Sequence, residues 1–291
     1  MINFLKYKWL YFLISAIVIG VGLYSIVVYG FSFSIDFVGG AVIEYQFNKK
    51  IDEKTVRTVF KEKNIKIFLL QNHNNTQYLL KTIPIDEKKE LEIRNEFESK
   101  HKKKPIVLRF EMVGPTLGKE TTIKTVTASL IAILGILIYI TFAFKNFKYG
   151  FAAILAMIHD FFVVIGSYSL MSKFLGAEVD TLFVTAVLTT MSFSVHDTIV
   201  VFDKIREYRK TDTTTLFSVL ANKALTETMV RSLNNSLTIA LMLLALVLLG
   251  GEIIRFFAAA LLVGTITGTY SSPFIATPLV EFFEKGRRRS K

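Results

Sequence analysis

The sequence predicts a polytopic α-helical membrane protein: six transmembrane helices, with one α+β domain between the first and the second. Hydrophobic residues make up 52% of the 291 residues and the mean hydropathy is +0.45, which is too apolar for a soluble globule. Six apolar stretches are long enough to be membrane helices, which need about 20 residues each. A polar stretch with alternating strand-like and helix-like segments follows the first of them.

The first apolar stretch covers residues 9–29, contains no charged residue and follows Lys6 and Lys8. It is longer than the apolar core of a signal peptide, which has about 7 to 15 residues, and no small-residue cleavage site follows it. We therefore expect an uncleaved anchor whose positively charged start lies in the cytoplasm.

The polar stretch, residues 31–122, is expected to fold as one domain outside the membrane. Its order of elements is β-α-β-β-α-β, which is the ferredoxin-like pattern. The segments are the strands 41–47, 65–70, 76–83 and 106–112 and the helices 52–63 and 86–100. His73 lies in the expected turn 72–75, and we interpret it as a solvated loop residue because no second metal ligand occurs at a suitable spacing.

Five further spans are expected after the domain, and a basic tail ends the chain. The spans cover residues 125–144, 151–171, 181–206, 232–251 and 256–280. Residues 215–224 have the pattern of an amphipathic helix that lies along the membrane surface. The chain is thus divided into an anchor (1–30), a domain (31–122), a helical bundle (123–280) and a tail (281–291).

The distribution of charge predicts the topology of the spans. The chain has 35 Lys and Arg against 24 Asp and Glu, a net charge of +11. Short cytoplasmic loops carry most of the Lys and Arg in membrane proteins, and the short loops on the opposite side offer only Lys173 and Arg255. Both termini are then cytoplasmic, and we expect no nucleic-acid partner. The cytoplasmic positive charges are Lys6, Lys8, Lys145, Lys148, the connection 204–231 and the tail 287–291.

A short motif, S-I-D-F-V-G-G, connects the first span to the domain. It contains Asp36, Phe37, Gly39 and Gly40. Two adjacent glycines adopt backbone conformations that other residues avoid, so the residues alone favour a tight turn before a strand.

A second motif, G-P-T-L-G-K-E, begins at Gly114 and Pro115, just before the second span. It is not a phosphate-binding loop, which requires four residues between its glycines and Ser or Thr after the lysine. Here three residues intervene and Glu120 follows Lys119. We interpret the motif as a turn at which the chain re-enters the membrane, with Pro115 fixing the backbone.

Asp197 is the acidic residue that most needs an explanation, because it lies inside the apolar fourth span. It follows Thr181 by 16 residues, or about 24 Å of helix, and a charge near the bilayer centre costs about 2.5 to 3.5 kcal/mol on insertion scales. Arg231 enters the fifth span from the same side, so the two residues could form an ion pair. From the residues alone, a static ion pair and a proton-coupling pair both remain open.

His159 and Asp160 lie together near the middle of the third span. Neighbouring residues point about 100° apart on a helix, so we expect Asp160 to face the bundle. His159 and His196 could titrate near neutral pH, but a buried neutral histidine bonded to a neighbouring helix is favoured. With four histidines and no cysteine, the sequence predicts no metal site.

Gly264 and Gly268 form a G-x-x-x-G motif on the sixth span. Small residues at this spacing let two helices approach closely, either within the bundle or against the helix of a partner. Pro273 and Pro278 are expected to bend the end of this span.

Several of these motifs in this order resemble the SecF family of protein-export membrane subunits. They are D-F-V-G-G after the first span, G-P-T-L-G-K-E, the His159–Asp160 pair, H-D-T-I-V-V-F-D-K-I-R-E in the fourth span, L-T-E-T-M-V-R before the fifth, and L-L-G-G-E-I-I-R-F-F followed by G-T-I-T-G-T-Y-S-S-P in the sixth. His196 departs from the pattern, since many relatives have Asn there. The resemblance covers nearly the whole chain.

The resemblance implies one half of a resistance-nodulation-division-like bundle with a periplasmic domain. It implies that Asp197, Arg231 and Asp160 take part in proton movement, with His159 and His196 as possible helpers. The implied partners are a SecD-like subunit, the SecYEG channel, an exported unfolded polypeptide and the lipid bilayer of the bacterial inner membrane. No enzyme activity and no cofactor are implied; the coupling ion is the proton, and sodium stays open.

Two other functions fit parts of the same sequence. One is half of a drug or lipid exporter of the same superfamily, although its domain of about 90 residues is small for capturing a compound. The other is a scaffold of the export machinery that moves no protons. Co-purification with a SecD-like protein distinguishes a SecF-like subunit from an exporter. Neutralising Asp197 distinguishes it from a scaffold, which should keep working.

Overall fold

The computed structural model describes residues 3–73, 75–144 and 146–289. The chain forms two compact units: Phe33–Thr127, and Met1–Ser32 together with Ala128–Lys291. Lys145 and residues 290–291, which belong to the expected basic loops and tail, lie outside the described residues, as does residue 74 of the expected turn.

The chain has ten α-helices and six strands in its described part. A 3₁₀ turn, Phe4–Tyr7, precedes the first helix, and a π-helical turn, Ser272–Ala276, joins the last two. The helices are α1 (Lys8–Tyr29), α2 (Ile35–Val38), α3 (Glu53–Glu62), α4 (Glu87–His101), α5 (Pro115–Ala143), α6 (Phe147–Leu175), α7 (Thr181–Thr211), α8 (Phe217–Leu249), α9 (Glu252–Ser271) and α10 (Thr277–Arg289). The strands are β1 (Ser32–Phe33), β2 (Gly40–Gln46), β3 (Ile67–His73), β4 (Gln77–Thr82), β5 (Ile106–Val113) and β6 (Glu178–Val179).

The unit Phe33–Thr127 contains a four-stranded sheet in the order β3-β4-β2-β5, with every neighbouring pair antiparallel. The predicted order of elements, β-α-β-β-α-β, is confirmed. Residues alternate between the two faces of a strand, so Tyr78, Leu80 and Thr82 of β4 are buried while their neighbours are half-exposed.

Two helices pack on one face of this sheet because each has a narrow apolar stripe. Val56, Val59 and Phe60 of α3 are fully buried at helical spacing, and Ile93 and Phe97 of α4 are buried four residues apart. The buried hydroxyl of Tyr45 donates to Glu90 Oε1 at 2.9 Å, which satisfies both groups in the core. The core is completed by Ala41, Ile43, Phe47, Ile51, Ile65, Tyr78, Leu80 and Ile85.

The structure adds a helical turn to one expected turn and differs from two others. The D-F-V-G-G segment first makes the helical turn α2, which begins because the Ser34 side chain accepts a hydrogen bond from Asp36 N at 3.1 Å. Asn72 and His73 extend β3 and so belong to the strand. Pro115 is the first residue of α5, where its missing N–H costs nothing, so the expected re-entry turn is wrong.

Six helical stretches of the described chain are long and apolar enough to cross a membrane, in agreement with the predicted number. The most buried are α6, α7 and α9, which pack against one another. The other three long helices are mostly exposed. Only 17% of the most apolar segment is buried in the first span, 6% in α5 and 11% in α8, so most of the surface of these helices faces outward.

The connection before the fifth span corrects one further expectation. Residues 215–224 are not a separate surface helix, because α8 runs without a glycine or proline from Phe217 to Leu249 and buries Leu220, Ala221 and Ala224. The backbone of residues 281–289, in the part of the chain expected to form the basic tail, is helical and belongs to α10. Glu281 of α10 is buried and pairs with Lys8 at 2.7 Å.

A close crossing of α1 and α6 was not predicted. The Cα of Gly22 lies 2.6 Å from the position that a Cβ at Gly166 would occupy, so no side chain fits there. One turn away, Ser25 Oγ and Ser169 Oγ lie 2.9 Å apart. Small residues three apart on both helices are the sequence signal that could have indicated this contact.

Candidate ion-coupling site in the helix bundle

The middle of α6 brings two ionisable side chains into the bundle. Asp160 is 2% exposed and His159 is 8% exposed. Their side chains contact each other, with His159 Nδ1 2.8 Å from Asp160 Oδ1. The expectation that His159 would bond to a neighbouring helix is therefore wrong, because its described polar partner is the adjacent residue on the same helix.

The other oxygen of Asp160 joins α6 to two more helices. Ser194 of α7 donates its hydroxyl to Asp160 Oδ2 at 2.5 Å, and Ser271 of α9 donates to the same oxygen at 2.6 Å. Both serines are almost fully buried. A buried carboxyl group thus gains hydrogen bonds that offset the loss of water, and three helices converge on it.

The π-helical turn begins next to this carboxyl group. Ser272, its first residue, lies 2.9 Å from the Thr198 hydroxyl of α7, oxygen to oxygen. Pro273 follows and lacks the N–H that a regular helix would use, which accounts for the altered hydrogen-bond pattern here. Ser271 and Ser272, at the start of this turn, contact side chains of α6 and α7. The bend expected at Pro273 and Pro278 stays a prediction.

Asp197 forms a second polar contact, between α7 and α8. It is 5% exposed, and its Oδ2 accepts a hydrogen bond from Ser232 Oγ at 2.5 Å. The expected partner, Arg231, is exposed, and no ion pair joins it to Asp197 within the described residues. Adjacent residues point about 100° apart on a helix, so α8 cannot direct both Ser232 and Arg231 at the same point.

His196, the other expected helper, is exposed on α7. It is adjacent to Asp197 and points about 100° away from it for the same reason. The expectation of a buried His196 is therefore wrong. In the described parts of the chain, no group of three or more His, Cys, Asp or Glu side chains is placed to hold a metal ion.

The G-x-x-x-G motif lets α9 lie directly against α7. A Cβ at Gly264 would be 2.1 Å from Thr190 Cγ2, and one at Gly268 would be 3.2 Å from Ser194 Cα. The motif therefore packs inside the bundle, where it brings Ser271 within reach of Asp160.

The two motifs at the borders of the polar domain pack against each other, backbone to backbone. Gly39 and Gly40 have φ of +73° and +142°, which L-residues with a side chain rarely adopt. A Cβ at Gly118 would lie 2.9 Å from Gly39 N, and one at Gly39 would lie 3.1 Å from Pro115 Cα. Gly114 has open space around it, so it is not needed for this contact.

Sequence reasoning identified the carboxylates but missed their hydroxyl partners. Ser194, Ser232 and Ser271 each lie on an apolar helix, where serine is common enough to carry little signal. No spacing in the sequence pairs them with their acids, because each serine lies on a different helix from the acid that it contacts.

The motifs and the six apolar helices agree with a known family. Residues 93–286 match the family described as protein export membrane protein SecD/SecF, C-terminal, and residues 24–51 match the SecD/SecF GG motif. The chain belongs to the SecD/SecF family. It is accordingly a multi-pass membrane protein of protein transport and translocation.

Individual members of the SecD/SecF family match over 90% or more of the chain. The protein translocase subunit SecF of Anaerolinea thermophila is 40% identical over 100% of this chain and 96% of its own length. The protein translocase subunit SecDF of Thermus thermophilus is 36% identical, with 90% of this chain matching 36% of that protein. The crystal structure of SecDF, a translocon-associated membrane protein from Thermus thermophilus, superposes with a TM-score of 0.83 at 32% identity, covering 98% of this chain and 39% of that one.

Proposed function

We propose that the chain is the SecF-like subunit of a bacterial protein translocase, and that it uses the proton gradient with a SecD-like partner to promote protein export. Family membership over the whole chain supports the role in export. The SecDF relatives are more than twice as long as this chain, which supports a partner that supplies the missing half. The chain acts as a transporter subunit and not as an enzyme.

The observation that carries the proton role is the buried contact of Asp197 with Ser232. It connects α7 to α8 through a group that changes its charge when it binds a proton. A buried carboxylate without a cationic partner is costly, so we assign the described arrangement to the protonated state of Asp197.

Loss of this proton would create a negative charge that attracts Arg231, one residue along α8 from Ser232. A rotation of α8 would then bring Arg231 toward Asp197 and form the ion pair that the sequence suggested. Each elementary charge that crosses 100 mV supplies about 2.3 kcal/mol, so a few protons can shift a conformational equilibrium of several kcal/mol.

The outward apolar surfaces of α5 and α8 are the places where lipid and the SecD-like partner would bind. Both termini would be cytoplasmic in the inner membrane, and the ferredoxin-like domain Phe33–Thr127 would be periplasmic. There it would assist an exported chain that leaves the SecYEG channel.

Export in inverted vesicles tests this proposal. Vesicles from cells depleted of the chain are compared with vesicles in which it is restored, with and without a proton gradient, and the purified chain is probed for a SecD-like protein. We expect the restored chain to increase export only when a gradient is present, and to co-purify with its partner. If the chain exports a small compound and co-purifies with no SecD-like protein, it is an exporter. If it restores protein export without a proton gradient, it is a scaffold.

A further inference from the structure

We propose that the free edge of β5 and the lysines beside its first residue bind an extended, acidic segment of the exported polypeptide, which adds to the sheet as a further strand. The inference rests on the proposed function and gives it a contact surface for the exported chain. All the residues that form this surface lie within the unit Phe33–Thr127.

Strand β5 ends the sheet on one side, since the strand order is β3-β4-β2-β5. It pairs with β2, and no strand of the described chain pairs with its other edge. Alternate residues of an antiparallel strand direct their N–H and C=O groups away from the partner strand. An extended peptide that bonds to these groups is held by its backbone, whatever its side chains are. Such an edge suits a surface that must accept exported proteins of many sequences.

Two large apolar side chains of this edge strand are exposed. Ile106 is 55% exposed and Leu108 is 52% exposed. Val107 and Phe110 pack against the core of the domain and so hold the strand in place. Ile106 and Leu108 are therefore available to contact the apolar side chains that an unfolded segment exposes to water.

A bulge makes the edge of β5 irregular. The register of the β2–β5 pair shifts between Glu44 and Tyr45, which leaves Leu108 as an extra residue on β5. A bulge interrupts the ladder and increases the twist, and it is one way in which proteins prevent an edge strand from pairing permanently with another sheet. The edge is therefore better suited to a short segment that binds and leaves than to a second copy of the chain.

A positively charged cleft adjoins the first residue of β5. It lies between the chain that leaves β2 and the chain that enters β5, and has a volume of about 450 Å³. Glu98 is the one acid in its lining and pairs with Lys104 at 2.7 Å. No carboxylate of the described residues forms an ion pair with Lys49 or Lys102, so the cleft retains positive charge that can bind the acidic side chains of a ligand. The lining residues are Asn48, Lys49, Glu98, Lys102, Lys103 and Lys104.

The residue that follows α4 also supports an anionic ligand. Lys102 has a φ of +51°, a left-handed conformation in which glycine or asparagine is usual at a helix end. Lys100, in the last turn, already supplies the positive charge that a helix C-terminus favours, and it pairs with Glu62 and Glu96. The end of α4 therefore gives no structural reason for a lysine at 102, whereas an anion in the cleft does.

The cleft lies at one end of the strand, so an added segment meets the lysines at one of its own ends. Ile106 lies opposite Gln46 at this end of the β2–β5 pair, and Val113 lies opposite Gly40 at the other. The 8 residues of β5, at about 3.4 Å each, make the strand about 27 Å long. The ligand that fits is a segment of the same length with apolar side chains, next to a group of acidic residues.

Photo-crosslinking of a stalled export substrate tests this surface. The complex with the SecD-like partner is kept in inverted vesicles, where the substrate is exported into the lumen, and a photoreactive amino acid replaces Leu108. The matched control position is Phe68 on the opposite edge strand β3, which is 61% exposed and also lies at a register shift. The substrate carries a segment of alternating valine and threonine, as long as β5, with several glutamates on each side.

We expect the photoreactive residue to label this substrate strongly at position 108 and weakly at position 68. Proline at every second position of the segment should reduce the labelling, because proline has no N–H to donate to β5. Serine in place of valine should reduce it through the loss of apolar contacts. Lysine in place of the glutamates should reduce it because the lysines of the cleft then repel the segment.

Lys49→Gln combined with Lys102→Gln should reduce labelling of the acidic segment about 2- to 30-fold, since two exposed ion pairs are lost and each contributes up to about fivefold in affinity. Lys88→Gln combined with Lys89→Gln is the matched control. It removes the same charge from outside the cleft and should leave the labelling unchanged. All four lysines are exposed, so both double variants should fold.

Equal labelling from positions 108 and 68 would overturn the inference, as would labelling that is insensitive to proline or equal for segments with glutamate and with lysine. A main cross-link from position 108 to the SecD-like protein or to a second copy of the chain would also overturn it, because the edge would then belong to the assembly. The same vesicles show whether the chain promotes export. Promotion of export without labelling at position 108 would refute this surface and leave the proposed function intact. Absence of promotion would refute the proposed function, on which the inference rests.

Discussion

Serine hydroxyls donate to two buried acids of the bundle, Asp160 and Asp197, and these contacts predict the effects of single substitutions. Asp197 accepts from Ser232, and Asp160 accepts from Ser194 and Ser271. The acids were predictable because a carboxyl group in an apolar span is rare. Their partners were not, because a serine on a membrane helix also fits lipid or a backbone carbonyl.

Ser232→Ala should destabilise the complex by about 1 kcal/mol, because it removes a hydrogen bond to protonated Asp197. The substitution leaves a buried carboxyl oxygen without its donor. Ser232→Thr, which keeps the hydroxyl group, should lose less stability than Ser232→Ala. Thermal unfolding of the complex in nanodiscs measures the stability of both variants. If Ser232→Ala is as stable as the parent chain, the contact between Ser232 and Asp197 is contradicted.

Gly264→Ala should separate α9 from α7 and destabilise the bundle by about 1 to 3 kcal/mol. The new Cβ would lie 2.1 Å from Thr190 Cγ2 and 2.4 Å from Thr190 Cβ. Thr190→Ala removes the nearer atom, so the double variant should recover part of the loss. Gly135→Ala on α5 is the matched control, because nothing lies within 4 Å of its Cβ position and the helix should tolerate it. Unfolding temperatures of the four proteins provide the comparison.

Asp212, in the connection between α7 and α8, should make this connection sensitive to acid. Hydrogen bonds from Thr215, led by its side-chain hydroxyl, and from Thr214 lower the pKa of Asp212 to about 2. Because this pKa is lower than the unfolded value of about 3.9, the stabilisation is complete above that value and is lost as the pH falls toward 2.

Amide hydrogen exchange at Thr214 and Thr215 measures this effect. We expect protection at pH 7 in the parent chain and reduced protection in Asp212→Ala. Asp212→Asn keeps one side-chain oxygen as an acceptor and should be intermediate. Protection that is identical in all three proteins would show that Asp212 does not order the connection.

At the scale of helices, the ion pair of Lys8 with Glu281 joins the start of α1 to α10. The carboxylate side chain is 3% exposed and the lysine side chain 23%. Lys8→Met should destabilise the bundle by about 3 to 5 kcal/mol, because it leaves a buried charge without this partner. Adding Glu281→Gln should restore part of the stability, since the buried charge is then removed as well.

Lys104→Met provides the matched control for this pair. Its partner is Glu98, and both side chains are 53% exposed, so its loss should cost less than about 1 kcal/mol. Chemical unfolding of the complexes compares the variants. Equal effects of Lys8→Met and Lys104→Met would contradict the buried character of the first pair.

The order of the elements was predictable from periodicity, whereas their exact ends and breaks were not. Strand and helix patterns gave the β-α-β-β-α-β order of the polar domain and the number of spans. The amphipathic pattern of residues 215–224 was misread, because a helix that packs one face on a bundle has the same pattern as one on a membrane surface. The π-helical turn depends on contacts with Asp160 and Thr198 that lie far away in sequence.

At the scale of the whole molecule, the chain leaves much apolar surface uncovered. Few residues of α5 and α8 are buried, and the chain corresponds to 39% of the SecDF structure that it resembles. An apolar surface on a membrane helix is covered by lipid as readily as by protein. The sequence therefore predicts that these helices span the membrane but not which of their faces binds a partner.

The account depends most on Asp197 as a proton-binding residue of the export machinery. The measurement that tests this most directly is protein export into inverted vesicles that carry Asp197→Asn, with co-purification of the SecD-like partner checked in the same preparation. His196→Asn, a change at the exposed neighbouring residue, is the control and should export normally. We predict that Asp197→Asn assembles with its partner but that its export no longer increases when a proton gradient is applied. Export that responds to the gradient as in the unchanged chain would contradict the proton role of Asp197 and leave it a structural one.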